Sequence, residues 1–135
     1  MCAPVIELNK NKISLLPLNF FRGLENLERI VLSNNEITSI PVGIACPKLV
    51  SFLLSSNKIT EVPPDLPLWP KLKILFLNNN LLQRLPETFM QCSSLERLNL
   101  ARNNKCSSTS KAVLQYLKKL IESKKDGKYF PPDTL

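Results

Sequence analysis

The chain has 135 residues, 44% hydrophobic and 21% charged, with no histidine, which suits one domain with a modest core and excludes a disordered chain. No apolar run approaches the ~18 residues that a membrane-spanning helix needs, and Met1-Cys2-Ala3-Pro4 carries neither the pattern of a secretory signal nor a glycine for myristoylation. The net charge of +7 leans toward the C-terminus: from Lys105 onward seven lysines and three acids give +4, whereas eleven basic and eight acidic residues give +3 over the much longer stretch before it.

Taken in chain order, one frame recurs five times. Ile6-x-Leu8-x-x-Asn11-x-Ile13 is followed by Leu27-x-x-Ile30-x-Leu32-x-x-Asn35-x-Ile37 and Leu49-x-x-Phe52-x-Leu54-x-x-Asn57-x-Ile59. Leu72-x-x-Leu75-x-Leu77-x-x-Asn80-x-Leu82 comes next, and Leu95-x-x-Leu98-x-Leu100-x-x-Asn103 ends the series, with Lys105 where an apolar residue belongs. The asparagines are 24, 22, 23 and 23 residues apart. Each apolar-x-apolar core alternates as a strand does, so it predicts a short strand with one face inward and the intervening side chain outward. A unit this small cannot bury its own apolar face, and neighbouring units must stack.

The second half of each unit is regular too. Leu16-Pro17, Ile40-Pro41, Val62-Pro63 and Leu85-Pro86 share one position, where proline suits an extended segment with no ladder hydrogen bond to give. An apolar residue then recurs as Phe20, Ile44, Leu66 and Phe89, and a further column holds Leu24, Cys46, Trp69 and Cys92. That column reads as core, so Cys46 and Cys92 are small apolar residues. They lie two units apart, about 10 Å at ~4.8 Å per strand, too far for a disulfide. Cys2 and Cys106 flank opposite ends of the stack. All four thiols are therefore expected to be reduced, and without His or a Cys-x-x-Cys pair no metal site or other cofactor is expected.

These frames resemble the leucine-rich-repeat family over residues 3–106, and the lengths and Leu-Pro pairs resemble its intracellular, Ras-suppressor-like class. The resemblance implies an α/β fold: a curved, right-handed solenoid with a parallel concave sheet and extended or 3₁₀ segments outside. It also implies that Asn11, Asn35, Asn57, Asn80 and Asn103 turn inward as a structural ladder. Asn34, one residue before a ladder position, should face solvent. Only four residues precede the first frame, so either the chain is expected to be a fragment or its first strand is expected to be a weakly protected edge.

The expected division is about five repeats over 1–106, then a capping helix and loose tail over 107–135. Ser107-Ser108-Thr109-Ser110 offers N-cap hydroxyls. Ala112, Val113, Tyr116, Leu117, Leu120 and Ile121 form an apolar helical face, and Gly127 is a stop. Pro131-Pro132-Asp133-Thr134-Leu135 should be loose.

Register picks out the side chains of the concave face. Glu7, Val31, Leu53, Phe76 and Asn99 lie between the core positions. Val5, Arg29, Ser51, Ile74 and Arg97 form a second outward column, and Asn9, Ser33, Ser55, Asn78 and Ala101 a third. From these, Arg29, Val31, Leu53, Ile74, Phe76, Asn78, Arg97 and Asn99 are expected to bind a partner, because an aromatic-aliphatic centre with an arginine rim is the pattern of a protein interface. No catalytic residues are expected: histidine is absent, the three glycines make no phosphate loop, and no base stands ready for a cysteine nucleophile.

The function expected is a monomeric protein–protein interaction module, binding a folded partner as a cytosolic adaptor or regulator, or as a bacterial effector in the host cytoplasm. No membrane association is expected. The alternative is nucleic-acid or acidic-surface binding through the basic C-terminal segment. Nucleic acid is disfavoured because no stacked aromatic set accompanies the lysines.

Overall fold

The computed structural model describes residues 4–17, 21, 23, 25–41, 46–64, 69–103 and 111–132. Phe20, Leu24, Ile44, Leu66, Cys2, Lys105, Cys106, the N-cap residues 107–110 and the terminal 133–135 lie outside them. Six three-residue strands pair in chain order into one parallel sheet: β1 (Val5–Glu7), β2 (Arg29–Val31), β3 (Ser51–Leu53), β4 (Ile74–Phe76), β5 (Arg97–Asn99) and β6 (Lys128–Phe130). Parallel neighbours require a crossover between each pair; the second halves of the repeats supply the first four and the C-terminal helical segment 111–122 lies in the fifth, so the chain winds as a solenoid.

The alternation of each strand sets what is buried. Ile6, Ile30, Phe52, Leu75, Leu98 and Tyr129 stand in register on the inner face. The four from Ile30 to Leu98 are buried, and Ile6 and Tyr129, on the outermost strands, are only partly covered. The crossovers close the core from the other side. Leu16, Ile40, Val62 and Leu85, each just before its proline, are buried, as are Cys46, Trp69 and Cys92. The Trp69 ring meets Phe52 edge-on, 5.4 Å between centroids, a favoured aromatic geometry. The crossover from β4 to β5 contains a 3₁₀ helix, Glu87–Gln91, which buries Phe89.

Three-residue strands form few ladder bonds, and side chains add the rest. Asn57 accepts a hydrogen bond from the Ile37 N–H at 3.0 Å and donates to the carbonyls of Leu32 (3.0 Å) and Leu54 (3.1 Å). Asn35 joins Ile13, Leu8 and Leu32 in the same way, Asn80 joins Ile59, Leu54 and Leu77, and Asn103 joins Leu82, Leu77 and Leu100. These four amides are buried, and each ties its own strand end to the preceding repeat. Asn11 is exposed and, among the described residues, donates within its own turn, to Leu8 and Asn9.

The residue before each of these asparagines has a left-handed backbone: Lys10, Asn34, Ser56, Asn79 and Arg102 have φ between 58° and 60°. That conformation aims the N–H of Lys10, Asn34, Ser56 and Asn79 at the next repeat, onto the carbonyls of Ser33, Ser55, Asn78 and Ala101. A side chain there costs about 1–2 kcal/mol unless the residue is Gly or, to a lesser degree, Asn. Asn34 is exposed, yet its position constrains the residue through the backbone.

The C-terminal end departs from the repeat. α1 (Lys111–Glu122) buries Val113, Leu117 and Ile121, and Leu114 packs partly against the core. Ala112 is exposed and Tyr116 and Leu120 are half-buried, so the covered stripe is narrower than the apolar face in the sequence and turned toward Leu114. The chain then turns at Gly127 and returns to the sheet as β6, a strand that the repeat frame did not predict. Leu100 N–H donates to the Phe130 carbonyl at 2.7 Å and Lys128 N–H to that of Glu96 at 2.8 Å. A Cβ on Gly127 would collide with the Ile121 carbonyl oxygen.

Three outcomes test these assignments by chemical denaturation. Asn57→Ala lowers stability by about 1–3 kcal/mol by leaving buried backbone groups unpaired. Asn34→Ala lowers it by about 1 kcal/mol, whereas Asn34→Gly is neutral or stabilising. Gly127→Ala displaces β6 and lowers the midpoint, and an unchanged midpoint would contradict the close approach of the turn to α1.

Candidate functional site

Outward-facing side chains of the strands are free of the core, and the parallel register lines them up about 4.8 Å apart. One row runs Glu7, Val31, Leu53, Phe76, Asn99 and Phe130, in pairs fixed by the sheet. Val31, Leu53 and Phe76 are half-buried and continuous, Glu7 is exposed at one end, and Phe130 is 49% exposed at the other. The parallel row runs Val5, Arg29, Ser51, Ile74, Arg97 and Lys128. Ser51 is 6% exposed and forms a notch between the larger Arg29 and Ile74.

A third row lies just past the strands. Ser55 donates to Asn78 Oδ1 at 2.6 Å, which fixes the Asn78 side chain across the repeat boundary. Asn99 Oδ1 accepts from the Ala101 N–H at 3.1 Å, and the amide N–H₂ of the same side chain is a donor. The structure thus brings Arg29, Val31, Leu53, Ile74, Phe76, Asn78, Arg97 and Asn99 onto one sheet face. Lys128 and Phe130 belong to the same face and were missed, because no asparagine frame follows them. The available signal was the aromatic pair Tyr129-Phe130 after the Gly127 stop, since such residues suit strands.

The opposite, crossover side carries different chemistry. A cleft of about 530 Å³ is lined by Glu61, Val62, Arg84, Leu85, Glu87 and Val113. Arg84 and Glu61 approach to 3.8 Å across its rim while both remain largely exposed, a pair worth little. Among the described residues no three or more His, Cys, Asp or Glu side chains gather as a metal site, and no helix is long and apolar enough to cross a membrane. Cys46 and Cys92 are buried and unbridged. Burial raises the Cys46 thiol above its ordinary value and pushes that of Cys92 up to about 11, so neither is poised as a nucleophile.

A family model described as leucine rich repeat matches residues 5–46 and 47–104. The chain belongs to the leucine-rich-repeat family. Among curated proteins it is 33% identical over 105 residues to "Probable inactive serine/threonine-protein kinase roco10" of Dictyostelium discoideum, covering 73% of this chain and 4% of that one. Among solved structures it is similar to a leucine-rich-repeat protein of Leptospira interrogans, with a TM-score of 0.75 and 30% identity over 96% of this chain and 30% of that one. The chain therefore spans only a small part of either protein. Proteins of this family are generally non-catalytic modules for protein–protein interaction.

The buried thiols give a pH signature. With its pKa raised to about 11 in the fold, Cys92 contributes stability that is complete below about pH 9 and is lost as pH rises through the folded value. The melting temperature falls between about pH 9 and 11, and Cys92→Ala falls less steeply over that window. Parallel curves for the two proteins would contradict this.

Proposed function

We propose that the chain is a protein–protein interaction module that receives a folded partner on the outward sheet face, centred on Val31, Leu53, Ile74 and Phe76 and bordered by Arg29, Asn78, Arg97 and Asn99. The observation that carries this reading is the half-buried apolar row Val31, Leu53 and Phe76 on a face that supplies none of the core. Scattered surface apolar residues are ordinary, but three in register on adjacent strands form a contiguous patch, and aromatic centres with arginine rims concentrate binding energy.

The setting is the cytoplasm, as an adaptor or regulator, or the host cytoplasm for a bacterial effector, with the chain as a monomer. The buried, unbridged Cys46 and Cys92 are compatible with a reducing compartment. For the alternative, binding of nucleic acid or an acidic surface through the C-terminal lysines, one observation counts against it: Lys124 Nζ is taken up by the Ser93 carbonyl at 2.8 Å. A contact of that kind would weaken steeply with salt, and an apolar sheet-face contact would not.

Phe76→Asp tests the proposal. Its side chain stands on the outward face between Leu53 and Asn99, so the charge leaves the core unaltered. Affinity for a captured partner falls by about thirtyfold or more, the equivalent of losing an aromatic anchor worth ~2 kcal/mol, while the melting temperature changes by a few degrees at most. A large loss of stability would make Phe76 structural, and undiminished binding would place the partner elsewhere.

A further inference from the structure

The two ends of the outward face differ. Toward β1 it carries Glu7 beside Arg29, and toward β6 it gathers Arg97 and Lys128, both exposed and in direct register on adjacent strands, with the half-buried Glu96 immediately before Arg97. Cations about 4.8 Å apart across a strand pair repel each other, and neither takes part in an ion pair among the described residues. Next to them, the Asn99 side-chain oxygen accepts from the Ala101 N–H, and its amide N–H₂ supplies two donors. Phe76 and Phe130 flank Asn99 in the same row, which places the two aromatic positions about 10 Å apart with Asn99 as the floor between them. This end of the sheet is thus rich in donors and carries positive charge beside aromatic surface.

We infer that the β4–β6 end of the outward face takes an acidic, apolar polypeptide segment of the partner, with a carboxylate clamped between Arg97 and Lys128 and an apolar side chain seated over Asn99 between Phe76 and Phe130. The inference rests on the interaction reading above and adds the chemistry of what is recognised. Arg97 and Asn99 are two residues apart on one strand, about 6.6 Å at ~3.3 Å per residue. An extended segment with its acidic and apolar side chains at positions i and i+2 spans the same distance, so the motif is acid-x-apolar or its reverse. Arginine supplies a forked donor for the carboxylate and lysine a point charge, while the Asn99 N–H₂ donates to a carbonyl of the segment's backbone.

The test pans the intact chain against a displayed random-peptide library and measures the selected peptides by fluorescence polarisation. Asp or Glu should be enriched two positions from a large apolar residue. Binding of these peptides should fall by at least about tenfold in the Arg97→Glu/Lys128→Glu double variant, which should instead prefer the same peptides with Lys in place of the acid. Because both side chains are exposed, the fold is checked by melting temperature, and Lys128→Gln provides a milder variant. Removing one of two facing cations leaves the melting temperature equal or higher while weakening the acidic peptides. Peptides lost on Phe76→Asp but indifferent to charge would overturn this inference and leave the sheet-face reading standing. Peptides indifferent to both changes, or a library that yields no binder, would overturn the inference, and the former would also count against the sheet-face reading.

Discussion

The hydrogen bonds of one asparagine side chain per repeat are the constraint on which the rest of the molecule depends. Strands of three residues cannot form a long ladder, and where each one bends away the carbonyls of Leu32, Leu54 and Leu77 would be buried without donors. A single amide meets all of the demands at once, because it has an acceptor for the N–H of the preceding repeat and two donors for carbonyls of both repeats. Asn57 does so with Ile37, Leu32 and Leu54. The left-handed residue in front of each asparagine is the backbone counterpart, since it turns the chain and hands its own N–H to the next repeat. Asn11 shows what the interaction needs: without a preceding repeat among the described residues to bridge, it is exposed and bonds only locally.

Because the inner face and the amides carry the stack, the outer face is released from holding the fold together. Its positions can hold Glu7, Val31, Leu53, Phe76, Asn99 and Phe130 in a single row, a sequence of side chains that no requirement of the core explains. The rigidity of the sheet then has a functional consequence: side chains on different repeats, more than twenty residues apart in sequence, keep a fixed spacing. A surface of this kind is preorganised, and binding to it involves little loss of conformational freedom in the module itself.

The C-terminal end solves two problems with one segment. The apolar end of the last repeat is covered by Val113, Leu117 and Ile121 of α1, and β5 is paired by β6, so the sheet ends in a three-residue edge strand that carries Lys128. Gly127 makes this possible, because only a residue without a Cβ can pass so close to the end of α1. Pairing the edge also lengthens the outward face, with Lys128 and Phe130 as its last members.

The amino-acid sequence by itself determined the repeat, its five frames, the inner and outer columns and the column of Cys46, Trp69 and Cys92, because short strands and tight stacking impose a strict period on residue type. The eight outward residues singled out from that period share one face for the same reason: in a parallel sheet the register of one repeat is the register of all. Tertiary structure alone decided three things. It decided that Lys128–Phe130 joins the sheet, since that pairing is between segments with no shared motif and depends on how α1 packs. It decided which side of α1 is buried, Leu114 rather than Ala112, since a helix with apolar residues over a wide arc can be rotated and only its contacts fix the angle. It also decided that the residue before each asparagine is left-handed, which sequence hid because Lys10, Ser56 and Arg102 are not residues that favour φ near +60°; the hydrogen bonds gained by facing the next repeat outweigh that local preference.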